Sequence, residues 1–256
     1  MLTLVGMGLH GHRGMSLRAL DACRAADSIF LERYTSPTQI DMDELAETLG
    51  REVRVLSRED LEEGGFLFEE CLSSNVVLLS PGDPLIATTH MSILLEARHR
   101  GAKTRVLHAA SVYSAAIGQS GLHTYKFGKS ATITSGRDFV PYSAYDCIME
   151  NKQRGCHTLL LLQDDVDSGE RLSAAEALDL LDRMERARGE GIITGSSWVL
   201  VLSGLESPTK KVFAGRFDEA RREQFTDQPT VLIVPGKLHF AEKEALEALS
   251  RGDEGV

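Results

Sequence analysis

The sequence predicts an α/β fold of two domains, with a parallel sheet in the N-terminal domain and a mixed sheet in the C-terminal domain. In the first half, short apolar runs alternate with stretches of helical periodicity, a pattern typical of parallel strands joined by helices. In the second half, the apolar runs 198–202, 211–214 and 230–234 follow one another with little helical pattern between them. This closer succession predicts neighbouring strands that are partly antiparallel.

Each element follows from a local pattern. In the first half we predict strands at residues 2–5, 28–31, 53–56, 76–79 and 104–107, and helices at 16–26, 43–49, 66–72, 91–98 and from 112 to about 118. In the second half we predict strands at 131–134, 157–162, 198–202, 211–214 and 230–234, and helices at 145–154, 173–188 and 240–249. Ser173 and Glu176 match a capping box, and Gly50 and Gly189 close their helices. The glycine-rich stretch 120–128 separates predicted domains 1–124 and 125–256.

The charge of the chain bears on its partners. A net charge of −10 over 256 residues disfavours nucleic-acid binding, which needs a basic face to neutralise phosphates. No stretch approaches the ~20 apolar residues of a membrane span, and the N-terminus lacks the pattern of a secretion signal. The four cysteines form no C-x-x-C pair and are expected to be thiols. We therefore expect a cytoplasmic protein without nucleic-acid or membrane partners.

A kinked loop follows the apolar run at residues 76–79. Its sequence is Pro81-Gly82-Asp83-Pro84, in which neither proline can donate a ladder hydrogen bond. Gly82 allows a ligand to approach the main chain closely. In open α/β sheets, ligands bind beyond the carboxyl ends of the strands. The pattern favours a ligand loop over an ordinary turn.

Other motifs give weaker indications. Gly6, Gly8 and Gly11 satisfy the dinucleotide-binding pattern, with Glu32 as the acidic residue that the pattern requires further on. A phosphate-binding P-loop motif is missing, and neither the glycine pattern at residues 6–11 nor the loop 81–84 has a neighbouring lysine. This composition favours a ligand without phosphates.

Several polar clusters have ordinary structural explanations. His10 and His12 have metal-ligand spacing, but no third ligand is evident, so we expect no metal site. The acidic residues 164, 165 and 167 fit a solvated loop better than a cation site. Ser111, with His90 or His108, lacks the nucleophile elbow of a hydrolase.

The strand ends together predict one pocket. It would be lined by Leu9, the loop 81–86, Ser111, Val112 and Leu162. These positions offer apolar side chains, one carboxylate and many main-chain donors and acceptors. Such a pocket suits a cofactor that contains adenine, ribose and a positive charge.

Eight segments resemble one known family. They are residues 4–9 (LVGMGL), 30–36 (FLERYTS), 81–84 (PGDP), 87–90 (ATTH), 108–112 (HAASV), 121–128 (GLHTYKFG), 157–159 (HTL) and 232–239 (LIVPGKLH). The chain is similar, nearly end to end, to the diphthine synthases, a family of tetrapyrrole-methylase-like (class III) S-adenosylmethionine-dependent methyltransferases. Three positions depart from the family pattern: residues 108–111 read HAAS where the family has HNAS, residues 213–216 read FAGR where it has LARVG, and residue 175 is Ala where the family often has Asn.

The resemblance implies a specific activity. The family methylates, in repeated steps, the amino group of a modified histidine of translation elongation factor 2, during diphthamide biosynthesis. It also implies two α/β domains, S-adenosyl-L-methionine bound in the cleft between them, and a homodimer. The cofactor-binding positions carried over are Leu9, Asp83, Ile86, Ser111, Val112, Leu162, Ala214 and His239.

Alternatives remain at this stage. One is another enzyme of the superfamily that acts on a cobalamin precursor or on ribosomal RNA. A second is a nicotinamide dehydrogenase, which only the glycine pattern supports. A third is a nucleotide-binding protein that is not an enzyme. No residue is identified as catalytic. Glu32 and Asp83 are candidates for assisting the acceptor amine, and we expect Tyr34 near the methylated product, where a cation–π contact is worth ~0.5–2 kcal/mol.

Overall fold

The computed structural model describes residues 1–34, 40–62, 65–135, 140–165 and 169–252. The chain divides into two compact units, Met1–Val112 and Tyr113–Val256, and each is described by itself. The boundary falls at the start of a helix, earlier than the sequence-based division at residue 124. The assignment of functional domains stays a prediction.

The first unit contains a five-stranded parallel sheet. Its strands are β1 (Leu2–Gly6), β2 (Ser28–Glu32), β3 (Arg54–Leu56), β4 (Val76–Ser80) and β5 (Thr104–Leu107). Its helices are α1 (Leu17–Arg24), α2 (Met42–Leu49), α3 (Arg58–Glu62), α4 (Phe66–Ser73) and α5 (Met91–His99), and α6 (Val112–Gln119) begins at the boundary. The strand order is β3-β2-β4-β1-β5, and every neighbouring pair is parallel. The predicted fold class of this half is confirmed.

Strand β4 is buried on both faces of this sheet. Val77 and Leu79 belong to one hydrophobic cluster, whereas Val76 and Leu78 belong to another. Because successive side chains of a strand point to opposite faces, the continuous apolar run fills both layers. The chain leaves β1 toward β2 on one side and leaves β4 toward β5 on the other. The carboxyl ends of β1 and β4 therefore form the topological switch point, where such sheets bind ligands.

The second unit contains a mixed sheet. Its strands are β6 (Ala131–Ile133), β7 (Thr158–Leu162), β10 (Trp198–Ser203), β11 (Lys211–Arg216) and β12 (Thr230–Val234), and a separate hairpin consists of β8 (Asp164–Asp165) and β9 (Glu170–Arg171). Its helices are α7 (Ser143–Gln153), α8 (Ala174–Arg188), α9 (Phe217–Ala220) and α10 (Phe240–Ser250). In the order β11-β10-β12-β7-β6, the β6–β7 pair is parallel and the other pairs are antiparallel. The predicted mixed sheet is confirmed.

The predicted helix ends also have the expected geometry. The Ser16 Oγ accepts a hydrogen bond from the Ala19 N–H at 3.2 Å, and the capping box of Ser173 and Glu176 is complete. Gly50 and Gly189 end their helices with φ of +65° and +66°, the left-handed conformation that glycine favours.

Several short elements were not predicted, among them helix α3, helix α9 and the hairpin β8–β9. Helix α3 lies in a highly charged stretch, and it begins next to a reciprocal pair in which the Ser57 N–H donates to Asp60 and the Asp60 N–H donates to Ser57. The hairpin β8–β9 occupies the predicted acidic loop, where Asp164 pairs with Arg171 at 3.0 Å. Asp167 lies outside the described residues. Within the described ranges, no helix is long and apolar enough to cross a membrane.

Candidate functional site

The loop after β4 is held by the glycine-rich segment after β1. The Gly8 N–H donates to the Gly82 carbonyl at 3.1 Å, and the Gly82 N–H donates to the Gly8 carbonyl at 2.9 Å. Both glycines have positive φ, +74° and +68°, which other residues adopt only with strain. Gly6 packs so closely that an added Cβ would lie 2.7 Å from the Gly82 oxygen and 2.8 Å from the Ala109 Cβ. The residues that follow β1 and β4 therefore form one rigid surface, which we call the strand-end edge.

Asp83 connects this edge to the segment after β5. Its carboxylate is 5% exposed. Oδ1 accepts from the Leu85 N–H at 3.0 Å, and Oδ2 accepts from the Ala109 N–H at 3.2 Å and contacts the His108 Nδ1 at 2.9 Å. Since a carboxylate offers about four acceptor positions, protein groups use most of those on Asp83. These contacts favour a role in orienting the loops over a role as the main cofactor acceptor.

A polar network is buried beneath the loop. Glu32, at the end of β2, accepts a hydrogen bond from the Ser80 Oγ at 2.6 Å, and its carboxylate lies 3.7 Å from the His90 Nε2. The His90 Nδ1 contacts the Pro84 carbonyl oxygen at 3.0 Å. Both Glu32 and His90 are fully buried. Burial of Glu32 argues against the predicted contact between its carboxylate and an acceptor amine, because the carboxylate is used inside the protein.

Tyr34 extends this network toward the surface. Its hydroxyl lies 3.4 Å from the His90 Nε2, and the Arg58 guanidinium lies over its ring at 5.5 Å. The side chain is half-buried and packs against the cluster that contains Leu78. Thr35 and Ser36, which complete the ERYTS segment, lie outside the described residues.

Most of the expected cofactor positions of the first unit lie on segments that meet at this edge. Leu9 and Ser111 are buried, Ile86 is 43% exposed, and Val112 begins α6. Leu9 follows Gly8, which pairs with Gly82, and Asp83 binds the segment that leads to Ser111. The structure therefore brings together the strand ends of the first unit that were assigned to one pocket, whereas the fifth part of that pocket, Leu162, belongs to the second unit.

The expected positions of the second unit are more widely spaced. Leu162 ends β7, and Ala214 is buried in β11 opposite Leu200. His239 is exposed and caps α10, with its Nδ1 accepting from the Ala241 N–H at 3.4 Å. The segment that carries His239 follows β12, whose last residue pairs with the first residue of β7. Leu162 thus lies at the other end of β7, roughly 13 Å along the strand.

Sequence reasoning missed a buried carboxylate beside His239. Glu242 is fully buried. It accepts hydrogen bonds from the His239 N–H at 2.7 Å, the His123 N–H at 2.9 Å, the His157 Nε2 at 2.9 Å and the Lys126 ammonium. The signal for it was present, because a glutamate three residues after a helix cap matches the capping box.

The contacts set the protonation states in this cluster. Burial opposes the ionisation of Glu242, but its hydrogen bonds outweigh burial and lower its pKa to about 2. Burial lowers the pKa of His157, against the opposing effect of Glu242. The His157 Nδ1 accepts a hydrogen bond from the Gly236 N–H at 3.0 Å. The Nε2 of this ring therefore carries the hydrogen and donates a hydrogen bond to Glu242. This arrangement fixes the segments 123–126 and 236–239 around one anion.

The weaker motifs do not form the sites that they suggested. The glycine pattern leads into a 3-10 helix, Gly11–Gly14, and the α-helix begins only at Leu17, so the pattern lacks the helix N-terminus of a dinucleotide site. The His12 Nε2 contacts Glu44 at 3.3 Å. Among the described residues, no group of three or more His, Cys, Asp or Glu side chains is arranged to hold a metal ion. All four cysteines are free thiols.

The strand-end edge fits a cationic nucleoside ligand. None of the five expected positions in the first unit carries a positive charge, and Gly82 has open space where a side chain would stand. Apolar side chains and one carboxylate, without a neighbouring cationic side chain at the five positions, suit a sulfonium cofactor better than a phosphorylated one.

Comparison with known proteins decides the family. The family model for tetrapyrrole (corrin/porphyrin) methylases matches residues 1–192 of the 256. The chain is 37% identical to a diphthine synthase of Methanocella arvoryzae, covering 98% of both chains, and 36% identical to one of Methanocaldococcus jannaschii, covering 97% of this chain and 98% of the relative. The chain belongs to the diphthine synthase branch of the tetrapyrrole methylase family.

Solved structures of diphthine synthases have the same fold. A crystal structure of a diphthine synthase has a TM-score of 0.86 at 35% identity, covering 98% of this chain and 96% of that chain. A putative diphthine synthase from Entamoeba histolytica has a TM-score of 0.88 at 28% identity, covering 96% and 97%. The expected activity, that of an S-adenosylmethionine-dependent methyltransferase of the diphthine synthase type, is confirmed by this membership. The relatives favour this activity over the dehydrogenase, cobalamin and ribosomal RNA alternatives.

Proposed function

We propose that this diphthine synthase family member methylates the amino group of the aminocarboxypropyl-modified histidine of translation elongation factor 2, in repeated steps. The observation that carries the proposal is its similarity, over nearly the whole chain, to diphthine synthases. The rigid edge at the switch point supports it, because it lies where α/β sheets bind ligands.

Eight residues are proposed to hold S-adenosyl-L-methionine. In the first unit they are Leu9, Asp83, Ile86, Ser111 and Val112, and in the second unit Leu162, Ala214 and His239. When bound, the cofactor supplies a methyl group attached to a sulfonium. Asp83 would orient the loops that carry its neighbours, since its carboxylate already accepts from two main-chain N–H groups.

Positioning is the main contribution that we assign to the protein. Methyl transfer is an in-line displacement, so the acceptor nitrogen must point at the methyl carbon, and good orientation supplies up to ~7–11 kcal/mol in intramolecular models. The hydrogen bonds between the main chains of Gly8 and Gly82 keep the strand-end edge rigid. Tyr34, which leaves the sheet beside that edge, is proposed to form part of the acceptor side.

The proposal extends to partners and location. Elongation factor 2 would be the protein substrate, and the enzyme would act as a homodimer in the cytoplasm, without nucleic acid. Two-fold dimers are the commonest soluble oligomers, and the family resemblance implies one. Light scattering that gives a monomer mass at micromolar concentration would reject the dimer without affecting the proposed activity.

Mass spectrometry of the substrate tests the function directly. Elongation factor 2 that carries the aminocarboxypropyl histidine is incubated with the protein and S-adenosylmethionine, and we expect successive additions of one methyl group to that residue. The unmodified factor is the control and should remain unchanged. Methylation of ribosomal RNA or of a cobalamin precursor, with none of the modified factor, would refute the proposal.

Calorimetry tests the cofactor site separately. Asp83→Asn keeps the shape of the side chain but weakens the acceptor for Ala109 and His108, so S-adenosylhomocysteine should bind at least about tenfold more weakly. Because Asp83 is buried and bonded, a lower melting temperature is also expected. Unchanged affinity would remove Asp83 from the site.

A further inference from the structure

His108 combines a fixed orientation with an accessible ring. Its Nδ1 lies 2.9 Å from the Asp83 Oδ2, while 66% of its side chain is exposed. It follows β5 and lies three residues before Ser111, on the segment that Asp83 binds. The ring therefore lies at the strand-end edge and is accessible to a ligand.

The hydrogen bond to Asp83 determines which nitrogen is free to accept a proton. A carboxylate can only accept, so the imidazole Nδ1 carries the hydrogen and the Nε2 carries the lone pair. The carboxylate cannot swing away easily, because the Leu85 and Ala109 N–H groups both donate to it. Asp83 is the charged group in contact with this ring, and it comes from the loop after β4. A buried carboxylate that orients an imidazole is an established arrangement for a general base.

We propose that His108 is the general base that deprotonates the acceptor ammonium before each methyl transfer. This inference rests on the proposed function. The Nε2 removes one proton from the ammonium, and the freed lone pair on nitrogen forms the new bond to the methyl carbon. The carbon–sulfur bond breaks, and its electron pair stays on sulfur as a thioether. A product that keeps an N–H loses its next proton to the same base.

The other candidate bases are less suitable. Glu32 and His90 are fully buried and bonded to Ser80 and to the Pro84 carbonyl. Asp83 uses its carboxylate within the loops. His108 differs from all three in presenting a nitrogen lone pair to the solvent.

The variant His108→Asn tests the proposal. The asparagine amide can still donate to Asp83, but it cannot take a proton. General-base catalysis contributes ~10²–10⁴-fold, so kcat/KM for methylation of modified elongation factor 2 should fall about 100-fold at pH 7. The deficit should shrink as the pH is raised to 9, because more of the amine is then already neutral. The matched control is His99→Asn, an exposed histidine at the end of α5, which should keep wild-type activity.

Three further measurements separate catalysis from structure. S-adenosylhomocysteine affinity by calorimetry and the melting temperature should be unchanged in His108→Asn, and free imidazole should restore part of the activity of His108→Gly. The inference fails if His108→Asn retains activity within about threefold of wild type at pH 7. It also fails if its activity falls equally at every pH together with cofactor affinity. Failure of the wild-type protein to methylate the modified factor would instead refute the proposed function.

Discussion

Replacing Glu242 with glutamine removes the anion that joins two segments of the second unit. Four donors point at this carboxylate: the His239 and His123 N–H groups, His157 and Lys126. A glutamine side chain has one acceptor oxygen in place of two. Whichever way the glutamine amide is turned, its nitrogen faces two of these four donors.

Two calculations give a similar loss of stability. Each pKa unit corresponds to about 1.4 kcal/mol, so lowering the pKa of Glu242 from its ordinary 4.5 to about 2 corresponds to about 3 kcal/mol. A buried donor left without a partner costs about 1–3 kcal/mol, which for two donors covers the same range. We expect Glu242→Gln to lower the free energy of unfolding of this unit by about 3 kcal/mol at pH 7.

The pH dependence has a definite sign. The folded-state pKa of Glu242 lies below its unfolded value, so its contribution is complete above about pH 4.5 and is lost as the pH falls toward about 2. The difference between wild type and Glu242→Gln should therefore be constant from pH 7 to 5 and narrow by about 1 kcal/mol at pH 3.5. Burial lowers the pKa of His157 in the folded state. As the pH falls, His157 is therefore protonated in the unfolded state before it is protonated in the folded state, so this residue too favours folding at higher pH.

Urea unfolding followed by fluorescence measures this loss. The one tryptophan, Trp198, lies in β10 of the same unit, so the signal reports on the affected sheet. Glu247→Gln, on the exposed side of α10, is the matched control and should stay within about 0.5 kcal/mol of wild type. A loss of less than about 1 kcal/mol for Glu242→Gln, or a difference that does not narrow in acid, would refute the reasoning.

Three more predictions concern the first unit and its ligand. Gly6→Ala should lower the free energy of unfolding, obtained from a thermal melt, by about 3 kcal/mol, because its Cβ would lie 2.7 Å from the Gly82 oxygen. The control Gly118→Ala, in α6 with no atom within 4 Å of the added Cβ, should be neutral or stabilising by about 0.5–1 kcal/mol, and equal effects of the two variants would contradict the close approach. Tyr34→Ala should slow the later methylations more than the first in a mass-spectrometric time course, because only later acceptors carry bulky methyl groups; equal slowing at each step would remove that role. S-adenosylhomocysteine should bind in calorimetry without added metal, and a requirement for a divalent ion would overturn the metal-free site.

The position of the loop after β4 could be predicted from residues near it. A continuous apolar run indicated a strand buried on both faces, and the prolines around Gly82 and Asp83 placed a stiff loop at its end. The structure confirms strand β4 and places it beside β1 at the switch point. Which strand would be the neighbour was not encoded locally, because residues 3 and 77 pair only through the order of the whole sheet.

The roles of two acidic residues depended mainly on contacts with residues far away in the chain. Glu32 was predicted near the acceptor amine, but it is buried against Ser80, which lies 48 residues away in the chain. The capping box accounts for the contact between Glu242 and His239, but it does not predict that the carboxylate is buried. Its partner His123 lies 119 residues away, and burial of the carboxylate became possible only when several donors converged on it.

The sequence alone determined the strands of the two main sheets, most helices, their caps and the family, since hydrophobic period, capping residues and turn glycines act within a few residues of chain. The tertiary structure decided how those elements use their polar groups. The closeness of Gly6 to Gly82, the bond between Asp83 and His108, and the anion shared around Glu242 all join residues that are far apart in the chain. Such contacts depend on strand order and on the desolvation of each group after packing. Both are properties of the whole fold, and no short stretch of sequence specifies them.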